Sequence, residues 1–417
     1  MEVFWPRVAF LVALVLGVSY VLFRDWDNIN RSSILFFRRT QRGVKLIDRI
    51  TSISPRGWNI YGWLAVFAGF LSIPFISSQM VYFFQQAVSS GGGGAANGPS
   101  LILPGLVSQN QFNPGASFIP VEYWVVSIAI IMVVHEFSHG IVARSQGFEI
   151  NSVGWFILGI LPGAFVEPKG EKMLPGSEDV EEDPDSHGPW DQGNWVSRLK
   201  VLGAGSFANY LTAAVFLLLA VGATSAITVP GDVYYVASNG TGAYEAGMRN
   251  GTLYEINGTD IESVQDVMKI SGGLEPGETV SIWSSEGNFT VTAQQAPEKT
   301  GYFNQMAELL GMGDGDDTRA MIGIGVGQTQ NLKGGLADYR ESLLWLLSML
   351  HTVAILNIGI GMFNMLPARP LDGGEMVSTV VERLTGESEA AESVVNYWSL
   401  GVWIVVLLVL LMSLGVI

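Results

Sequence analysis

Six stretches of this chain carry almost no charge, and they decide what it can fold into. They run from Val8 to Phe23, Trp58 to Phe84, Phe118 to Val134, Val201 to Ile227, Leu343 to Met365 and Val395 to Ile417. Each approaches or exceeds the roughly 20 residues a helix needs to cross a hydrocarbon core of about 30 Å. The first lacks the basic start of a secretory leader and is followed by Arg24-Asp25-Trp26-Asp27 rather than a cleavage site, so it reads as a retained anchor. The expected fold is a polytopic α-helical, multi-pass protein of the cell membrane with about six transmembrane helices.

Composition removes several function classes. With no cysteine among 417 residues, the chain is neither a disulfide scaffold nor a Cys-ligated zinc module nor a thiol enzyme. The 38 acidic residues outnumber the 22 basic ones, giving a formal charge of −16, so nucleic acid is not an expected partner. Arginine exceeds lysine by 15 to 7, and this acidic, lysine-poor composition resembles that of proteins from salt-loving archaea.

Basic residues accumulate in cytoplasmic loops. Eight of them, Arg24, Arg31, Arg38, Arg39, Arg42, Lys45, Arg49 and Arg56, crowd the segment between the first two runs, whereas residues 85–117 are uncharged and contain Gly91-Gly92-Gly93-Gly94. The first segment therefore reads as a cytoplasmic loop and the second as a flexible outer linker. Alternation then places residues 144–200 inside, 229–340 outside and 369–392 inside. Four Asn-x-Ser/Thr sequons, at Asn239, Asn250, Asn257 and Asn288, fall in the outer part. The apolar stretch Trp155 to Phe165 is too short to span and is broken by Gly159, Pro162 and Gly163, which suits a re-entrant or interfacial hairpin.

Five regions follow from this reading. Residues 1–117 hold two transmembrane helices, the basic loop and the linker. Residues 118–227 hold two more, the hairpin and an acidic loop. Residues 228–330 alternate apolar and polar positions between Gly and Asn turns, as in a small folded module. Residues 331–380 and 381–417 supply the remaining spans. Within the module, Gly242 to Gly258 followed by the amphipathic stretch Ser263 to Ile270 looks like a PDZ-like α+β domain, which takes peptides by adding a strand to a sheet edge. Gly311 to Thr318 reads as a solvated loop rather than a calcium site, because the ligand spacing is irregular and a distal Glu is missing.

At the end of the third run stands His135-Glu136-Phe137-Ser138-His139. On a helix, residues four apart share a face, so both imidazoles can reach one ion with Glu136 beside it. The plainer alternative is a pair of helix-end histidines bonded to carbonyls or water, but ionisable groups at membrane depth are costly unless paired, metal-bound or facing water. A zinc ion with an open fourth position needs one further protein ligand. His351 lies on the order of 30 Å along its span from Asp372 and reads as structural or interfacial, and His187 sits in an acidic, solvated loop. Asp372 is better placed, in Asn364-Met-Leu-Pro367-Ala-Arg-Pro370-Leu-Asp372-Gly373-Gly374, where the prolines stop the helix. The third and fifth spans run parallel on this count, so both motifs reach the same face.

These motifs, with Gly205-Ser-Phe-Ala-Asn209 in the intervening span, resemble the site-2 protease family of intramembrane metalloproteases, peptidase family M50. The likeness covers roughly residues 118–374, and Ser206 departs from it, since the family commonly has proline there. The resemblance implies that His135, His139 and Asp372 bind Zn2+ and that Glu136 is the catalytic acid and base. The implied function is an intramembrane zinc endopeptidase acting on single-span or membrane-anchored proteins in the lipid bilayer, with its active site toward the cytoplasm and its PDZ-like domain outside, where it binds a peptide terminus or a substrate ectodomain. Asn364 is a candidate oxyanion donor or else a helix cap or bundle contact. Asn209 either holds substrate or bridges helices. The hairpin, with Gly159 and Gly163, is a candidate substrate-binding edge. A non-proteolytic zinc-containing scaffold or PDZ-type binding protein is the alternative reading, and a transporter using its buried polar residues as an ion path is a third.

Overall fold

A backbone surrounded by hydrocarbon has to satisfy its own polar groups, which turns long apolar runs into helices. The computed structural model describes residues 4–32, 35–89, 100–107, 110–111, 115–158, 161–168, 194–295, 320–414 and 416. In chain order it contains α1 (Phe4–Arg24), β1 (Asn30–Ser32), β2 (Leu35–Thr40), α2 (Gln41–Ile53), α3 (Pro55–Ser89), β3 (Ser100–Gly105), β4 (Gly115–Pro120), α4 (Val121–Ser145), β5 (Ile150–Leu158), β6 (Leu161–Pro168) and α5 (Trp195–Ile227). Then come β7 (Thr228–Ala237), α6 (Gly242–Glu245), β8 (Asn250–Ile256), β9 (Thr259–Asp260), α7 (Val264–Ser271), β10 (Thr279–Ser284), β11 (Gly287–Thr292), β12 (Gln294–Gln295), β13 (Ala320–Met321), β14 (Ile324–Leu332), α8 (Arg340–Asn364), α9 (Asp372–Thr385) and α10 (Ser388–Ser413). The chain divides into two compact units, residues 1–219 with 348–417, and residues 220–347.

Among the described residues, five helices are long and apolar enough to cross a membrane: α3, α4, α5, α8 and α10. The expected count was about six. The difference is α1, whose apolar stretch Val8–Arg24 is shorter than the other five. A second departure concerns the third run, where Phe118 to Pro120 belong to β4, paired in parallel with β3. The helix starts only after Pro120 and continues ten residues past His135 to Ser145, so the His pair lies within α4 rather than at its end.

The basic segment read as a loop is folded. Thr40 caps α2 by accepting a hydrogen bond from the Arg42 backbone N–H. Val44, Ile47 and Thr51, spaced by three and four, face inward: the first two pack with Ile141, Ile150, Val153 and Val166, and the Thr51 hydroxyl donates to the Ile141 carbonyl, while Arg42, Lys45 and Arg49 remain exposed. Arg144, at the end of α4, closes this packing with a 2.7 Å ion pair to Asp48. Just ahead of α2, β2 pairs with β5, giving a four-stranded antiparallel sheet in the order β1-β2-β5-β6. The hairpin expected around residues 155–165 is thus β5 and β6, with Trp155 opposite Ala164 and Phe156 opposite Gly163, and it forms half of a larger sheet. Arg39 on β2 reaches across β5 to Glu167 on β6, which also accepts from the Ser152 hydroxyl at 2.7 Å.

The second unit carries a sheet in the order β11-β10-β8-β7-β14, with β9 paired to β8. Its core gathers Val233, Tyr235, Met248, Leu253, Ile256 and Ile282 with Val267 of α7. A capping box between Ser263 and Asp266 opens α7.

Candidate metal centre

His135 and His139 sit one turn apart on α4, with ring centroids 4.7 Å apart. Asp372 reaches them from the first turn of α9, after the chain has turned through Pro367 and the cis Arg369-Pro370 bond. The three prospective ligand atoms form a small triangle. His135 Nε2 lies 3.1 Å from His139 Nε2, and Asp372 Oδ2 lies 3.4 Å from the first and 3.3 Å from the second. Zinc binds nitrogen and oxygen at about 2.0–2.2 Å, so the edges of its ligand tetrahedron are about 3.3–3.6 Å. The three residues therefore fit one tetrahedral ion, and among the described residues they are the group with metal-ligand geometry.

Neighbouring groups orient these ligands. His139 Nδ1 is 2.7 Å from the Val201 carbonyl, which can only accept, so the proton sits on Nδ1 and Nε2 keeps its lone pair for the ion. The amide of Asn209, fully buried on α5, lies 3.2 Å from His135 Nδ1. Asn364 Nδ2 donates to Asp372 Oδ2 at 2.7 Å and lies 3.1 Å from His135 Nε2. Both asparagines thus stand against prospective ligands. Two close backbone approaches complete the cradle. Gly205 on α5 packs under both imidazoles, and Gly373 and Gly374 press onto the backbone of Met365, Leu366 and Ala368, where a β-carbon would collide.

Glu136 follows His135 on α4, and its carboxylate accepts a hydrogen bond from the Val166 backbone N–H on β6. This strand is the outer strand of its sheet. Ser138, between the two histidines, donates to the Ala204 carbonyl at 2.9 Å and is 2.8 Å from the Tyr61 hydroxyl, which ties α3, α4 and α5 together beside Gly205.

The structure gathers His135, Glu136, His139, Asn209, Asn364 and Asp372 around one point. It places Gly163 on β6 opposite Phe156, where a β-carbon would meet the tip of that ring. Gly159, His187 and the stretch from Gly311 to Thr318 lie outside the described residues. His351 is exposed on α8, about 20 Å along the helix from Asn364. Sequence reasoning missed Tyr61, Val166 and Val201. Of these, Tyr61 is one more residue in an apolar run, and the other two contribute backbone atoms that leave no signature in side-chain identity.

The family model described as peptidase family M50 matches residues 123–409. An uncharacterized protein of Methanocaldococcus jannaschii is 24% identical over 88% of this chain and 83% of its own length. A Clostridium perfringens protein named "Putative zinc metalloprotease" is 24% identical over 62% of this chain and 87% of its own length. One of the same name from Campylobacter jejuni is 30% identical over 37% of this chain and 46% of its own length. The family match spans well over half of the chain and includes every residue of the triangle, so the chain belongs to peptidase family M50.

Proposed function

We propose that this metalloprotease holds zinc on His135, His139 and Asp372 and hydrolyses peptide bonds in or near the transmembrane segments of membrane-anchored proteins. The observation that carries the reading is the triangle of ligand atoms with edges of 3.1, 3.3 and 3.4 Å, formed by two helices that are distant in sequence. The zinc-metalloprotease names of the relatives agree with it. When bound, zinc supplies a Lewis acid and an activated water. Glu136 then takes the proton of the attacking water and later returns one to the leaving nitrogen. Asn364 and Asn209 keep Asp372 and His135 aimed at the centre, which is a positioning role. We keep Asn364 as the candidate oxyanion donor once substrate draws its amide away from Asp372.

Depth supports cleavage within the bilayer. His135 is the fifteenth of the 25 residues of α4, about 21 Å from its start and about 15 Å from its end. That nearer end carries Arg144 and packs on the basic helix α2, and this clustering of Lys and Arg supports a site in the cytoplasmic half. A substrate helix must unwind before a carbonyl is accessible, and its freed backbone groups then need partners. The outer strand β6, whose Val166 already bonds Glu136, is the surface we assign to that role. The β-rich second unit we read as a PDZ-like extracytoplasmic module that restricts entry to substrates already trimmed on that side.

The test is metal analysis and cleavage of a single-span reporter in proteoliposomes. Wild type should carry about one zinc per chain and cleave, whereas His135→Ala and Asp372→Ala should lose both properties. Cleavage by zinc-free wild type would overturn the reading.

A further inference from the structure

Asp372 owes its place to a short turn between α8 and α9, whose residues Met365, Leu366 and Ala368 are buried. A cavity of about 390 Å3 lies against Leu366 and Pro367, between Met80 and Val81 of α3 and Trp398 and Val402 of α10. Beyond that packing, the turn is gripped through Arg369, three residues before the ligand. Its backbone N–H donates to the Ser399 hydroxyl at 2.9 Å, and its carbonyl accepts from Trp403 Nε1 at 2.8 Å. The guanidinium pairs with Glu375 at 2.8 Å and donates to Ser378 at 2.8 Å, both on α9, and its other nitrogen reaches Asn396 at 3.4 Å and Glu392 at 3.5 Å on α10. Glu392, Asn396, Ser399 and Trp403 are spaced by four, three and four, so they form one stripe along α10. One arginine thus joins the helix that begins with the prospective ligand to the last helix of the chain.

We propose that Arg369 is a positioning residue for Asp372, and that α10 serves the metal centre by clasping Arg369 through Ser399 and Trp403. The planar fork of arginine suits this, because it meets carboxylates on two helices at once, which a lysine ammonium does not reproduce. The proposal rests on zinc being the resident metal.

Zinc release from the full-length protein under chelator challenge tests it, measured beside thermal unfolding. Arg369→Ala and Ser399→Ala should release zinc roughly ten- to a hundredfold more readily than wild type, as removal of outer-shell partners does elsewhere. Ser399→Thr restores the hydroxyl and should restore retention. Val409→Ala truncates a fully buried residue of the same helix that makes none of these contacts, and it should lower the unfolding temperature while leaving zinc retention unchanged. If Arg369→Ala fails to fold, the Ser399 pair decides alone. Retention by Ser399→Ala equal to wild type, or loss by Val409→Ala equal to that of the clasp variants, would overturn the clasp while leaving the zinc site standing. Wild type without zinc would overturn both.

Discussion

Gly205 lies directly under His135: a β-carbon placed on it would sit 2.5 Å from Cε1 and 2.7 Å from Nδ1 of that ring, and closer still to His139 Nε2. Backbone and imidazoles therefore share a space that admits only hydrogen. The position is also held from behind, since Ala204 receives hydrogen bonds from Ser138 and Tyr61, and a β-carbon on Gly203 would meet the Ala65 backbone. The α5 helix cannot retreat to make room. Gly205→Ala should displace both rings and weaken zinc binding at least tenfold while helical content stays at the wild-type level, measured by zinc titration beside circular dichroism. Gly222, with open space around it on the same helix, should tolerate the same change.

Glu136 touches the site without belonging to the ligand triangle, and this separates chemistry from metal binding. Glu136→Gln keeps the shape and the capacity to accept from Val166 but removes the base. Turnover of a membrane reporter should fall by about 10²–10⁴-fold with zinc content unchanged. Equal loss of zinc and turnover would instead make Glu136 a structural neighbour of the ion.

How much of this was legible beforehand depends on the range over which each signal acts. The His135-Glu136-x-x-His139 spacing is local, because one helical turn sets it, and Asp372 stood out because two prolines forced a turn beside a carboxylate. The folding of β1, β2 and α2 was hidden. The arginines and lysines on the outer face of α2 made the segment read as a loop, although Val44, Ile47 and Thr51 already carried a helical period. The length of α4 was misjudged because the first charged ligand looked like the end of an apolar run, while the helix goes on through Ser138, Gly140 and Val142 into protein packing. Arg369 was invisible for another reason: its partners lie up to 34 residues further on, and nothing but the fold brings them together.

Beneath the hairpin, the fully buried carboxylate of Glu167 depends on Arg39 for charge balance, with contacts of 3.1 and 3.3 Å from the guanidinium. Arg39→Ala leaves that carboxylate without its counter-charge and should destabilise the protein by about 3–5 kcal/mol, whereas Arg39→Met combined with Glu167→Leu should recover most of the loss. Because Val166 adjoins Glu167 and bonds Glu136, Arg39→Ala should also lower turnover more than zinc content. Thermal unfolding in detergent and reporter cleavage give the two readouts. A double variant as unstable as the single one would assign the effect to lost packing rather than charge.

In the second unit, Asp266 offers a test by pH. The Ser263 hydroxyl and the backbone N–H groups of Ser263 and Glu262 hold its carboxyl below the ordinary aspartate value of 3.8, outweighing the opposing effect of burial, with a further contribution from Lys269. A carboxyl whose value is lower in the folded state stabilises that state above its unfolded value, and the stabilisation fades as pH falls through the folded one. Protection from amide exchange at Val267 to Ile270 in the full-length protein, taken relative to the intrinsic rate at each pH, should therefore fall on acidification from about pH 5 to pH 3. Asp266→Asn cannot titrate, so its helix should be less protected than wild type at the upper end of that range and lose no further protection toward the lower. Matching slopes in the two proteins would mean that the capping box at the start of α7 contributes nothing through its charge.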